Sequence, residues 1–149
     1  MRPVLFLRIA SVLTLIHAAL HTIGGVFGKT PPNVQPVVAT MQDHQFMAMG
    51  VMRTMWDFHM GLGLAVSVFL TVEGIVFWQL GSLAKTDASR LRPILTTFLV
   101  GYLGVAVVSY QYFFAGPVIT EILIALCLAL AIAGARQTAA EGASRRAVA

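Results

Sequence analysis

Three histidines and a glutamate stand inside long apolar runs of this chain: His17, His21, His59 and Glu121. Imidazoles at i and i+4 share a helix face, so His17-x-x-x-His21 with His59 and Glu121 forms a candidate metal set. Two histidines from different helices can also hold a haem. The same rings can equally hydrogen-bond one another, Glu121 or a carbonyl and only hold helices together. No HExxH-type context accompanies them, so no metal and no cofactor is assigned. A second acid, Glu73, lies deep in an apolar run, and membrane carboxylates invite a proton-coupled transport reading. Six of the seven methionines (Met41, Met47, Met49, Met52, Met55 and Met60) crowd one stretch with His44 and His59. Thioether with imidazole suits Cu(I), and methionine equally suits a flexible lipid- or ligand-facing surface. No nucleophile–base motif, CxxC pair, phosphate-binding glycine loop or dinucleotide fingerprint is present, which leaves enzymatic activity open.

The elements that carry these residues are membrane spans. The chain is 58% apolar and 11% charged over 149 residues, with a mean hydropathy of +0.82. A soluble domain carries about 25% charged residues, so this chain cannot cover a water-facing surface. A net charge of +4 would point to nucleic acid in a soluble protein, but here the basic residues flank apolar runs, and no nucleic-acid partner is expected. The lone Cys127 cannot form an internal disulfide.

Four spans are expected, at about 5–26, 54–80, 93–114 and 117–135, in one membrane domain (1–135) followed by a disordered basic tail (136–149). The first run is read as an uncleaved span, because Arg8 and two histidines interrupt it and it exceeds a signal core in length. Three prolines make 28–37 a loop. Thr40-x-x-Asp43 predicts a capping box opening a short interfacial helix through about Gly50, and Thr54-x-x-Asp57 predicts a second one opening the second span. Residues 81–92 read as a basic loop, and Tyr110, Tyr112, Phe113 and Phe114 as an aromatic boundary. Four spans put both termini on one side, with Arg2, Arg8, Lys85, Arg90, Arg92, Arg136, Arg145 and Arg146 against Lys29 and Arg53 on the other. The positive-inside rule then makes both termini cytoplasmic in a bacterial inner membrane.

In that orientation His17, His21, His59, Tyr110, Gln111 and Glu121 fall in the outer half of the spans. Such clustering predicts an outward-facing polar cavity that binds an apolar or amphipathic small molecule or a lipid. Along the second span His59, Gly63, Val66, Leu70 and Glu73 follow one stripe, while Asp57 lies roughly 200° from His59 and is left to capping, beside Arg53. Arg8 and Glu73 are the two deep charges, expected at similar depth as an ion pair, with Arg8 snorkelling to the headgroups as the alternative.

The segments HAALHTIGG, RTMWDFHMGLGLAVSVFL and FWQLGSLA resemble a family of uncharacterised small bacterial four-span integral membrane proteins over residues 5 to about 135. The likeness implies a four-helix inner-membrane protein and brings no activity with it. It marks His17, His21, Arg53, Trp56, Asp57, His59, Gly61 and Gly63 as positions to test. A looser similarity, in span number and size alone, is to DoxX-like four-helix membrane proteins. Small multidrug exporters also place an acid in a four-span chain, but in their first span, where this chain has histidines instead. The expected architecture is all-α: a four-helix transmembrane bundle with a short interfacial helix in the first outer loop. Its expected partners are the bilayer and a lipid or hydrophobic small molecule, with homo-oligomerisation left open.

Overall fold

A computed structural model of the chain describes residues 3–148, and side chains from 3 to 136. The fold is all-α apart from one small hairpin. Helix α1 (Pro3–Leu20) runs into a π-helical segment (His21–Val26). Next come α2 (Gln35–Asp43), the strands β1 (Gln45–Ala48) and β2 (Val51–Thr54), and α3 (Met55–Asp87). A single 3₁₀ turn (Ser89–Leu91) leads to α4 (Arg92–Tyr112) and α5 (Ala115–Val148). Among the described residues four helical stretches are long and apolar enough to cross a membrane: Pro3–Val26, Met55–Asp87, Ser89–Tyr112 and Ala115–Arg136. The chain is thus a multi-pass membrane protein.

Two compact units divide it: Met1–His17 with Thr71–Ala149, and Ala18–Leu70. The first is a four-helix unit whose core joins Leu7 and Ala10 of α1, Phe77 and Leu80 of α3, Leu95 and Tyr102 of α4, and Ile124, Leu128 and Ala131 of α5. Phe77 is fully buried at its centre, with Phe98 edge-on at 4.9 Å between ring centroids.

The second unit differs from the sequence expectation. The short loop helix starts at Gln35 instead of Thr40, because Pro36 fits a first helical turn and its missing N–H costs nothing there. Thr40 lies inside α2, its hydroxyl donating to the Pro36 carbonyl at 3.0 Å, so it caps nothing. Residues 45–54, expected in part to continue that helix, form an antiparallel hairpin with Met47 opposite Met52. Its two-residue turn puts Met49 at φ 49° and Gly50 at φ 88°. Two successive positive φ angles are what a tight hairpin with right-handed strand twist requires.

The second capping box forms as expected. The Thr54 N–H donates to Asp57 Oδ2 at 2.8 Å and the Asp57 N–H to Thr54 Oγ1 at 3.1 Å. Thr54→Ala should therefore lower stability by about 1 kcal/mol, read as a lower thermal midpoint of the purified protein, and an unchanged midpoint would show that the cap is not used. Arg53 does not join Asp57; its Nη1 donates to the Met52 carbonyl at 2.9 Å.

Helix α3 continues past the expected end at 80 to Asp87, because GSLAKTD holds no proline and Leu83, Ala84 and Lys85 are good helix formers. The chain turns where Asp87 accepts from Ser89 and pairs with Arg90 at 2.9 Å. Helix α5 starts two residues before Pro117 and its backbone runs to Val148. Of the basic residues that set the topology, Arg2 lies outside the described residues, as do the side chains of Arg145 and Arg146.

Candidate functional site: buried acids of the four-helix unit

The inward face of α4 is the stripe Leu95, Tyr102, Ala106 and Ser109, all buried and spaced at helical intervals. Two of these four carry hydroxyls, and each holds a carboxyl group. The Tyr102 hydroxyl donates to Glu73 Oε2 of α3 at 2.9 Å. The Ser109 hydroxyl donates to Glu121 Oε1 of α5 at 2.8 Å. Seven residues separate the two donors, so they stand roughly 10 Å apart along α4.

Glu121 is the more extreme of the two acids. It is only 3% exposed, and its Oε2 is buried without a hydrogen-bond partner. The sequence marked Glu121 for an outer pocket shared with Tyr110 and Gln111. Those two are exposed, Tyr110 by 79%. On a helix they lie about 100° and 200° on from Ser109, so the inward residue is the one just before them.

Around Glu73 the network reaches α1. Thr14 Oγ1 lies 3.4 Å from the Tyr102 hydroxyl and donates to the Ala10 carbonyl at 2.8 Å. Ser11, also fully buried, donates to the Gly74 carbonyl at 2.6 Å. That approach of α1 to α3 requires a glycine: a methyl at Gly74 would stand 2.7 Å from the Leu15 side chain and 3.4 Å from the Ser11 carbonyl oxygen.

The expected Arg8–Glu73 ion pair is not made. Arg8 donates from Nη2 to Ser82 Oγ at 2.8 Å, and its guanidinium lies 3.5 Å over the Trp78 ring. Ser82 is nine residues beyond Glu73, roughly 13 Å along α3, so the two charges sit at different depths. Gly81 leaves the room that Arg8 fills, since a methyl there would be 3.3 Å from Arg8 Nε.

The histidines divide between the units. His17 is half-buried in the four-helix unit, one turn beyond Thr14 on α1. In the second unit His21 opens the π segment, with Nε2 at 3.0 Å from the Gly63 carbonyl. A carbonyl only accepts, so Nε2 carries the proton and donates. Gly63 permits the contact by close packing, as a methyl on it would be 3.1 Å from Val26 Cγ2. His59 is exposed and stacks on Trp56 at 5.2 Å between ring centroids. His21 and His59 thus have separate partners. Among the described residues no three His, Cys, Asp or Glu side chains gather to hold a metal ion. The methionines of the hairpin, Met47, Met49 and Met52, are exposed.

Fold and site together define a multi-pass α-helical membrane protein with two carboxyl groups held by hydroxyls of one helix face. Comparison with protein-family models, with curated proteins and with solved structures finds no match.

Proposed function

We propose that this chain is a small bacterial inner-membrane protein, both termini cytoplasmic, that binds and releases protons at Glu121 and Glu73 as the proton-linked part of a small transporter. The observation that carries the reading is the buried Glu121 Oε2 with no hydrogen-bond partner. An ionised carboxylate with a bare oxygen is costly in an apolar interior. Protonation there adds one proton to Oε2 and removes the charge, while Oε1 keeps the Ser109 hydrogen bond. At Glu73 the Tyr102 hydroxyl donates to the carboxylate, and Thr14 offers that hydroxyl a second partner when the acid carries the proton.

The other titratable side chains described on this unit's helices are Arg8 and His17 on α1, Lys85 and Asp87 on α3, Arg92, Tyr102, Tyr110 and Tyr112 on α4, and Cys127 and Arg136 on α5. The excess of Lys and Arg on the side of the termini supports the orientation.

The test is infrared difference spectroscopy of the purified full-length protein between acid and alkaline pH. The C=O stretch of protonated carboxyl groups should lose intensity as the pH rises, and Glu121→Gln and Glu73→Gln should each remove a separate share of that change. A carboxyl band that does not respond to pH, or that survives unchanged in both variants, would overturn the reading.

A further inference from the structure

Six of the seven methionines fall between residues 41 and 60, and neither the buried acids nor the four-helix core uses them. Apolar positions elsewhere are filled by Leu, Val, Ile, Ala and Phe, with no methionine between 2 and 40 or after 60. Three of the six belong to the hairpin: Met47 in β1, Met49 in the turn and Met52 in β2. Met47 and Met52 are directly opposed across the strands. Such partners share a face and hold their Cβ atoms roughly 4.5–5.5 Å apart, which brings two flexible thioethers within reach of one another.

The methionine face looks away from α3. Strand side chains alternate, so Met47 lies on the face opposite Phe46, and Phe46 stacks on Phe58 of α3 at 5.9 Å between ring centroids. Arg53 is paired with Phe46 and shares that other face, which leaves Gln45 and Thr54 as the strand neighbours of the methionines. Met47, Met49 and Met52 are all exposed, Met49 completely. Lipid does not account for that exposure. A two-stranded sheet keeps backbone N–H and C=O groups along both outer edges, and hydrocarbon offers them no partner, so the hairpin stands in water or among headgroups. Local preference does not account for it either: Met49 takes a left-handed φ of 49°, where a two-residue turn favours Asn, Asp or Gly.

We propose that Met47, Met49 and Met52 bind one Cu(I) ion at the tip of the hairpin. A thioether is a soft, uncharged ligand for which protons do not compete, and it selects Cu(I), whereas Zn(II) and harder ions favour imidazole, thiolate or carboxylate. No charged residue of the paired strands shares the methionine face, so no cation repels the ion and no carboxylate draws a harder one. Ligand chemistry also gives a reason for methionine at the turn, where neither packing nor backbone preference supplies one.

Changes of methionine to leucine test this, because they keep volume and apolarity and the fold has no reason to suffer. Full-length protein in detergent would be titrated with Cu(I), kept reduced by ascorbate, against the chelator bicinchoninate. Wild type should hold one equivalent. Met47→Leu, Met49→Leu and Met52→Leu should each weaken binding at least tenfold, and Met55→Leu, just beyond the hairpin, should leave it unchanged. Ag(I), a redox-stable stand-in, reads the same ligands in wild type through the methionine methyl signals in NMR. Those of Met47, Met49 and Met52 should move together and saturate at one equivalent, while those of Met41, Met55 and Met60 stay. No Cu(I) held against the chelator, a Met55→Leu loss as large as the hairpin losses, or hairpin methyl signals that do not move with Ag(I) would overturn the assignment. None of these outcomes bears on Glu73 or Glu121.

Discussion

A single methyl group on Gly28 is expected to be among the most damaging small changes in the chain. The π segment His21–Val26 closes with the Phe27 N–H donating to the Thr22 carbonyl at 3.0 Å, and the following residue packs against the segment's own backbone. A side chain on Gly28 would run directly into the Gly24 carbonyl oxygen. Both parties are main chain, so no rotamer change relieves the clash and the end of the span must open. Opening it also disturbs Val26 against Gly63 and, through the same turn, the His21 bond to the Gly63 carbonyl. Gly28→Ala should cost roughly 3 kcal/mol, at the upper end of ordinary single substitutions. The control is Gly24→Ala, where a methyl meets nothing within 4 Å. That change should be neutral, or stabilising by up to about 1 kcal/mol through helix propensity. Thermal unfolding of the two variants in one detergent reads the contrast. Equal midpoints would mean that the segment does not close as described.

How much of this was legible before any coordinates depended on how strongly physics constrains each feature. Spans were legible because a hydrocarbon core demands about twenty apolar residues in a row, and all four came out where the apolar runs stand. The reciprocal Thr54–Asp57 cap was legible because both partners of each bond are local. The same Thr-x-x-Asp pattern at Thr40 misled. Four residues earlier Pro36 had already fixed where that helix begins, and the positive φ angles at Met49 and Gly50 had little to announce them beyond one glycine.

The acids were visible as deep charges, but their partners were not. Thr14, Thr22, Thr97 and Thr120 all turn their hydroxyls back to the carbonyl four residues earlier, which is the default for such residues in a helix. Nothing in composition separates these from Ser109, whose hydroxyl reaches another helix. Angular position along α4 could have separated Ser109 from Tyr110 and Gln111, had the buried stripe through Leu95 and Tyr102 been traced outward. The Arg8–Glu73 pairing failed for a related reason. Arg8 meets α3 at Ser82, nine residues or roughly 13 Å beyond Glu73, on the part of that helix that runs past its expected end at 80.

The stripe also sets the second large effect. Removing the hydroxyl in Ser109→Ala leaves Glu121 with both oxygens unpartnered in a site 3% exposed, which should cost about 1–3 kcal/mol. Glu121→Leu removes the group that needed the bond and puts hydrocarbon beside Ile124 and Ala125 of the same core, while the Ser109 hydroxyl can turn back to its own helix, so the change should be close to neutral. The two changes share one contact, and their combination carries the argument. In the Glu121→Leu background Ser109→Ala should cost almost nothing, giving a coupling of about the single-variant cost. A Ser109→Ala penalty of equal size in both backgrounds would assign the serine to packing alone. The coupling, if found, assigns the serine hydroxyl to holding the carboxyl group. Glu121→Gln separates that hydrogen bond from the acid proton. Its amide still accepts from Ser109 and holds no exchangeable acid proton, so it should unfold near the wild-type midpoint while losing its share of the infrared carboxyl signal.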